Sequence, residues 1–89
     1  MTEEYEELEL AEFETKFTGD KSLLVSIGSI ISGSSLLEAK IGTMGGPTEQ
    51  RVLSVGEYVK YDAGNRGLFE VRLFAIRNNI AKFLISRIK

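Results

Sequence analysis

Residues 68–87 read LFEVRLFAIRNNIAKFLISR. Phe69, Val71, Leu73 and Ala75 alternate with Glu70, Arg72 and Phe74, the period of two that marks a strand with one buried face. Asn78 and Asn79 follow. Asparagine tolerates positive φ, and both central residues of a type I′ turn need it. Residues 80–88 then return as a second strand. A two-residue loop predicts a hairpin that pairs Arg77 with Ile80, Phe74 with Phe83, Arg72 with Ile85 and Glu70 with Arg87. This register brings an aromatic pair and an opposite-charge pair face to face, each favourable by roughly 0.2–1 kcal/mol. It also sets Arg72 and Arg87 on one face.

The returning strand is apolar on both sides. Phe83 and Ile85 fall on one face, and Ile80, Leu84 and Ile88 on the other. Such a strand is expected at the centre of a sheet covered on both sides. In a chain of 89 residues the second cover is expected from another subunit.

Upstream, Asp62 to Gly67 reads as a glycine-containing turn, residues 58–61 as extended, and Gly56 as a break. Residues 49–55 predict another strand. Gly42-Thr43-Met44-Gly45-Gly46-Pro47 is the clearest loop and holds the one proline of the chain. Leu37, Ala39 and Ile41 alternate with Glu38 and Lys40, and Leu23, Val25 and Ile27 with Ser26 and Gly28. The two runs predict a hairpin across a Ser32-Gly33-Ser34-Ser35 turn. Six serines and two glycines in residues 22–37 make a helix there costly. Thr18-Gly19-Asp20-Lys21 is a turn.

Residues 3–17 carry two phases. Leu8 and Leu10 alternate with Glu7 and Glu9, whereas Ala11, Phe13 and Phe17 fall in the opposite phase. One strand with a bulge near Leu10–Ala11 reconciles them. A short acidic helix over residues 3–10, capped by Thr2, is the competing reading. The sequence therefore predicts an all-β fold, a small antiparallel β-sandwich or barrel of about six or seven short strands. Residues 1–17 are read as an acidic N-terminal arm or first strand, and residues 18–89 as the sandwich domain.

Composition narrows the chemistry. The chain has no cysteine and no histidine. Disulfides, thiolate or imidazole metal sites and histidine-based nucleophile activation are excluded. Gly28 and Gly33 have phosphate-loop spacing but are followed by Ser34-Ser35 and not by the phosphate-binding lysine. Ser86 and Lys89 match a serine–lysine spacing but would point to opposite faces of a strand. Glu57 and Asp62 read as turn-flanking surface groups. No catalytic residue, cofactor or metal is expected, and the chain is not read as an enzyme. No segment reaches the roughly 18 apolar residues of a membrane-spanning helix. The opening Met-Thr-Glu-Glu-Tyr-Glu-Glu is the reverse of a basic signal-peptide start. A cytoplasmic protein, or one within a phage or virus particle, is the expectation.

Charge is the informative global feature. Net charge is −2, yet residues 1–20 hold eight acids against Lys16, and residues 51–89 hold eight bases against Glu57, Asp62 and Glu70. The acidic segment is expected to lie on the chain's own basic hairpin or on a neighbour's. A domain this small buries about two thirds of its unfolded surface, which leaves a thin stability margin, so self-association is a natural stabiliser. The leading expectation is a homo-oligomeric, non-enzymatic assembly module, its partner itself or a larger protein assembly. The alternative is a ligand- or nucleic-acid-binding domain with a basic face. Candidate partner-binding residues are Tyr5, Leu8, Leu10 and Phe13 in the acidic segment, and Arg66, Arg72, Arg77, Lys82 and Arg87 towards the C-terminus.

Overall fold

The computed structural model describes residues 5–19, 21–31 and 33–88. Among the described residues there are eight strands: β1 Tyr5–Ala11, β2 Thr15–Phe17, β3 Leu24–Ile27, β4 Leu36–Gly42, β5 Thr48–Ser54, β6 Tyr58–Asp62, β7 Leu68–Arg77 and β8 Ile80–Arg87. One turn of 3-10 helix, Gly64–Arg66, joins β6 to β7. The strands form two antiparallel four-stranded sheets, ordered β1-β8-β7-β6 and β2-β3-β4-β5, packed as a sandwich. The second sheet is a meander, and the first is the meander β6-β7-β8 with β1 added beside β8. The chain changes sheet after β1 and again after β5, and β1 lies beside β8, so the first and last strands are paired. Thr2 of the competing helical reading, Asp20 and Ser32 of two predicted turns, and Lys89 lie outside the described residues.

The eighth strand comes from the two-phase segment. Neither the bulged single strand nor the helix forms. The chain turns at Glu12–Phe13, where the Glu14 amide donates to the Ala11 carbonyl (3.1 Å) and the Ala11 amide to Glu14 Oε1 (2.8 Å). The change of phase is thus a change of sheet. Leu8 and Leu10 belong to the first sheet, and Phe17 pairs with Leu24 in the second.

The last hairpin keeps its predicted turn and changes its predicted register. Asn78 and Asn79 have φ of 53° and 61°, as a type I′ turn requires, and Arg77 pairs with Ile80. Between Leu73 and Ala75 the register shifts by one residue. Below that point Leu73 pairs with Phe83, Arg72 with Leu84, Val71 with Ile85, Glu70 with Ser86 and Phe69 with Arg87. Phe74 is left unpaired, and the expected Phe74–Phe83 and Glu70–Arg87 pairs do not form. Burial explains the shift. Phe69, Val71 and Leu73 are buried, as are Ala81, Phe83 and Ile85. In a straight two-residue hairpin these two sets would face opposite sides of the sheet. Keeping both sets buried saves one set of three side chains from solvent and outweighs two surface pairs, because a fully buried Val, Leu, Ile or Phe is worth about 1.5–3 kcal/mol and each cross-strand pair at most about 1 kcal/mol.

The bulge is fixed from both sides. Leu73 donates to the Glu57 carbonyl (3.0 Å) and accepts from the Gly56 amide (2.8 Å) on its other flank. β8 is central in its sheet, between β7 and β1. Phe83 is fully buried, opposite Leu73 on β7 and Leu8 on β1. Across the sandwich, Tyr61 reaches from β6 and donates its hydroxyl to the Pro47 carbonyl (2.7 Å), tying the β4–β5 loop to the opposite sheet. That loop packs against Gly42. A Cβ there would lie 2.7 Å from Thr48 Cγ2 and 3.0 Å from the Pro47 carbonyl oxygen.

Two stability changes are expected in urea unfolding. Phe83→Ala should cost about 3–5 kcal/mol, comparable to the total stability of a marginal domain. Gly42→Ala should cost about 1–3 kcal/mol through overpacking against backbone. A loss below about 0.5 kcal/mol in either variant would contradict the packing described.

Candidate functional site

The acidic side chains are first of all structural. Glu6 accepts the Gly19 amide through both carboxylate oxygens (2.9 and 2.7 Å). Glu12 Oε2 accepts the Ile30 amide (2.7 Å), Glu57 Oε1 the Ser54 amide (2.7 Å) and Asp62 Oδ1 the Gly64 amide (2.8 Å). Glu6 and Glu12 thereby bind the first strand and its turn to loops of the second sheet. A carboxylate accepting a backbone amide makes a charge-assisted bond, stronger than a neutral one. Among the described residues no group of three or more aspartate, glutamate, histidine or cysteine side chains gathers to hold a metal ion.

The candidate surface is the outward face of the sheet β1-β8-β7-β6. Strand pairing sets its rows. Glu7, Leu84, Arg72 and Tyr58 form one row, and Ser86, Glu70 and Lys60 lie in the next, beside Tyr5. Arg72 stacks over the Tyr58 ring, 4.9 Å from its centroid, donates to the Gly56 carbonyl (2.8 Å) and meets Glu70 Oε2 at 3.4 Å. Lys82 lies 3.8 Å from Glu9 Oε2 and 6.0 Å from the centroid of the Phe74 ring. The acidic strand is therefore placed on the chain's own basic hairpin. The Lys82–Glu9 pair is exposed to solvent, so it is worth at most about 1 kcal/mol and is screened by salt.

Large apolar side chains stand out from this face. Phe74 is 51% exposed, Tyr58 48% and Ile88 44%, with Tyr5 and Ile80 also exposed. Phe74 is outside because the bulge expels it. Beside it lies a cavity of about 330 Å³, lined by Phe74, Ala75, Ile80, Arg77, Lys82 and Glu9 among others.

Phe13 forms a second feature. It is 75% exposed, with φ of +59°. A bulky residue in the left-handed region is an outlier and costs of order 1–3 kcal/mol. Its amide donates to the Gly28 carbonyl (3.3 Å), and the next carbonyl, of Glu14, accepts the Ile27 amide (3.2 Å). With Ser26, Gly28, Glu38 and Lys40 it borders a depression of about 200 Å³ on the outward side of the second sheet.

The sequence-predicted partner residues are divided by the fold. Leu8 and Leu10 are core residues of the chain's own sandwich and offer nothing to a partner. Tyr5 and Phe13 are exposed. Arg72 and Lys82 share the outward face, and Arg77 borders the cavity. Arg87 pairs with Phe69, in phase with the core side chains, so the bulge removes it from the face of Arg72. Arg66 lies in the 3-10 turn, its guanidinium 3.4 Å from the Lys21 carbonyl. Sequence reasoning paired Phe74 with Phe83 and named neither Phe74 nor Tyr58 as a surface residue for a partner; both are exposed. The clash of alternation between the two halves of the hairpin was the signal that one residue of β7 must be left out of the ladder.

Comparison with known proteins finds no matching family model, curated protein or solved structure.

Phe13 is held at a backbone cost and buries little of its ring. Phe13→Gly is expected to leave the fold intact and raise stability by up to about 1 kcal/mol, read as a higher urea midpoint at low protein concentration. A loss of more than about 1 kcal/mol would mean that the ring contributes to the domain's own packing.

Proposed function

We propose that this domain is a non-enzymatic binding module that self-associates, a structural component of a larger assembly such as a phage or virus particle. The observation that carries the reading is the outward face of β1-β8-β7-β6, where Tyr5, Tyr58, Phe74, Ile80 and Ile88 remain exposed on a hydrogen-bonded sheet. Aromatic residues with an interspersed arginine are the composition enriched in protein interfaces. Strand-borne side chains lose little freedom on docking, which favours association. β8 is central in its sheet and apolar on both sides, with its outward side open to a second cover.

The acidic segment does not act as an extended arm in this reading, because β1 is a paired strand of the domain itself. The alternative, a basic face for anionic ligands, draws less support from the geometry. Glu7 and Glu9 stand in the same rows as Arg72 and Lys82, and Arg87 faces elsewhere.

Sedimentation velocity over a concentration series from about 1 to several hundred micromolar tests the reading. The mean mass should rise with concentration. Phe74→Asp, at an exposed and unpaired position, should remain folded and sediment as a monomer at concentrations where the wild type associates. A wild-type chain that stays monomeric across the series would overturn the proposal.

A further inference from the structure

Resting on that reading, we infer that Phe13 of one copy inserts into the cavity beside Phe74 and Ile80 of the next, so that the domain assembles head to tail. The projecting part is a rigid aromatic knob. Phe13 is 75% exposed, and bonds between Phe13 and Gly28, Glu14 and Ile27, Glu12 and Ile30, and Ala11 and Glu14 hold its turn. A positive φ at phenylalanine is a strain that marks functional positions, and the domain's own core gains nothing from this ring.

The receiving part is the bulge cavity. At about 330 Å³ it exceeds the roughly 150 Å³ that suffices for a benzene ring in an apolar protein cavity. Phe74 and Ile80 supply apolar walls, and Phe74 adds an aromatic partner. Charge is complementary. Glu12, Glu14 and Glu38 lie about the knob, partly offset by Lys40, and Arg77 and Lys82 flank the cavity, partly offset by Glu9.

Position determines symmetry. The cavity opens on the outward face of β1-β8-β7-β6, and Phe13 borders the outward face of β2-β3-β4-β5. Knob and cavity are on opposite sides of the sandwich, so the contact is not self-complementary. Each added copy leaves one knob and one cavity free, and the product is a ring or a filament and not a closed two-fold dimer.

Sedimentation of the full chain tests this with two variants, Phe13→Gly and the pair Arg77→Glu with Lys82→Glu. Circular dichroism confirms folding, since the first relieves strain and the second alters exposed or half-buried charges at the rim. The wild type should grow beyond a dimer. Each variant alone should associate with a dissociation constant raised on the order of tenfold or more. The loss from the pair of glutamates should shrink in high salt, because the attraction it removes is between exposed charges, whereas the loss from Phe13→Gly should persist. Mixed with a third variant, Phe74→Asp, which keeps its knob, Phe13→Gly should form a one-to-one complex that stops at a dimer. Wild-type association with Phe13→Gly associating equally well would overturn the inference and leave the self-association reading in place. Failure of the mixture to form the one-to-one complex would also overturn it. A monomeric wild type would remove both.

Discussion

The hairpin of β7 and β8 is governed by a parity constraint. Phe69, Val71 and Leu73 must be buried, and so must Ala81, Phe83 and Ile85. All six have odd numbers. A two-residue turn at Asn78–Asn79 pairs each odd-numbered residue with an even-numbered one, which would turn one of the two sets to solvent. The hydrophobic effect cannot accept that, and the asparagine pair with positive φ fixes the turn. The remaining solution is to leave one residue out of the ladder, and Phe74 is that residue.

Much of the architecture follows from the bulge. It brings Phe83 opposite Leu73, and the same face of β8 then receives Leu8 and Leu10 of β1 opposite Phe83 and Ala81. Pairing β1 with β8 joins the two ends of the chain, the most non-local contact in the fold and the kind that slows folding. The bulge also creates the outward surface. It exposes Phe74 and opens the cavity beside Ile80 and Lys82. A single packing requirement in the core therefore accounts for the most distinctive surface feature of the opposite face.

The strands and turns from residue 22 onward were legible because alternation and turn residues agree there. Leu37, Ala39 and Ile41, the Gly42–Pro47 loop and the Asn78–Asn79 turn all lie where the pattern put them. The hairpin register was legible in principle and misread, because cross-strand pair preferences of a fraction of a kcal/mol were weighed without the burial of both odd-numbered sets. The sheet change at Glu12–Phe13 was less accessible. Nothing local marks phenylalanine as a turn residue, and besides the Ala11–Glu14 bonds the turn is held by the amides of Ile30 and Ile27, far along the chain. Of the site, the residue types were visible and their grouping was not. Leu8 and Leu10 look like Tyr5 and Phe13 in an acidic stretch, and only the fold separates core from surface. Arg87 left the face of Arg72 through the same one-residue shift.

Cross-strand backbone NOEs in the folded protein test the bulged register most directly. The account predicts contacts linking residue 73 with 83 and 70 with 86, with residue 74 outside the ladder. Contacts linking 74 with 83 and 70 with 87 would show a straight hairpin and contradict it.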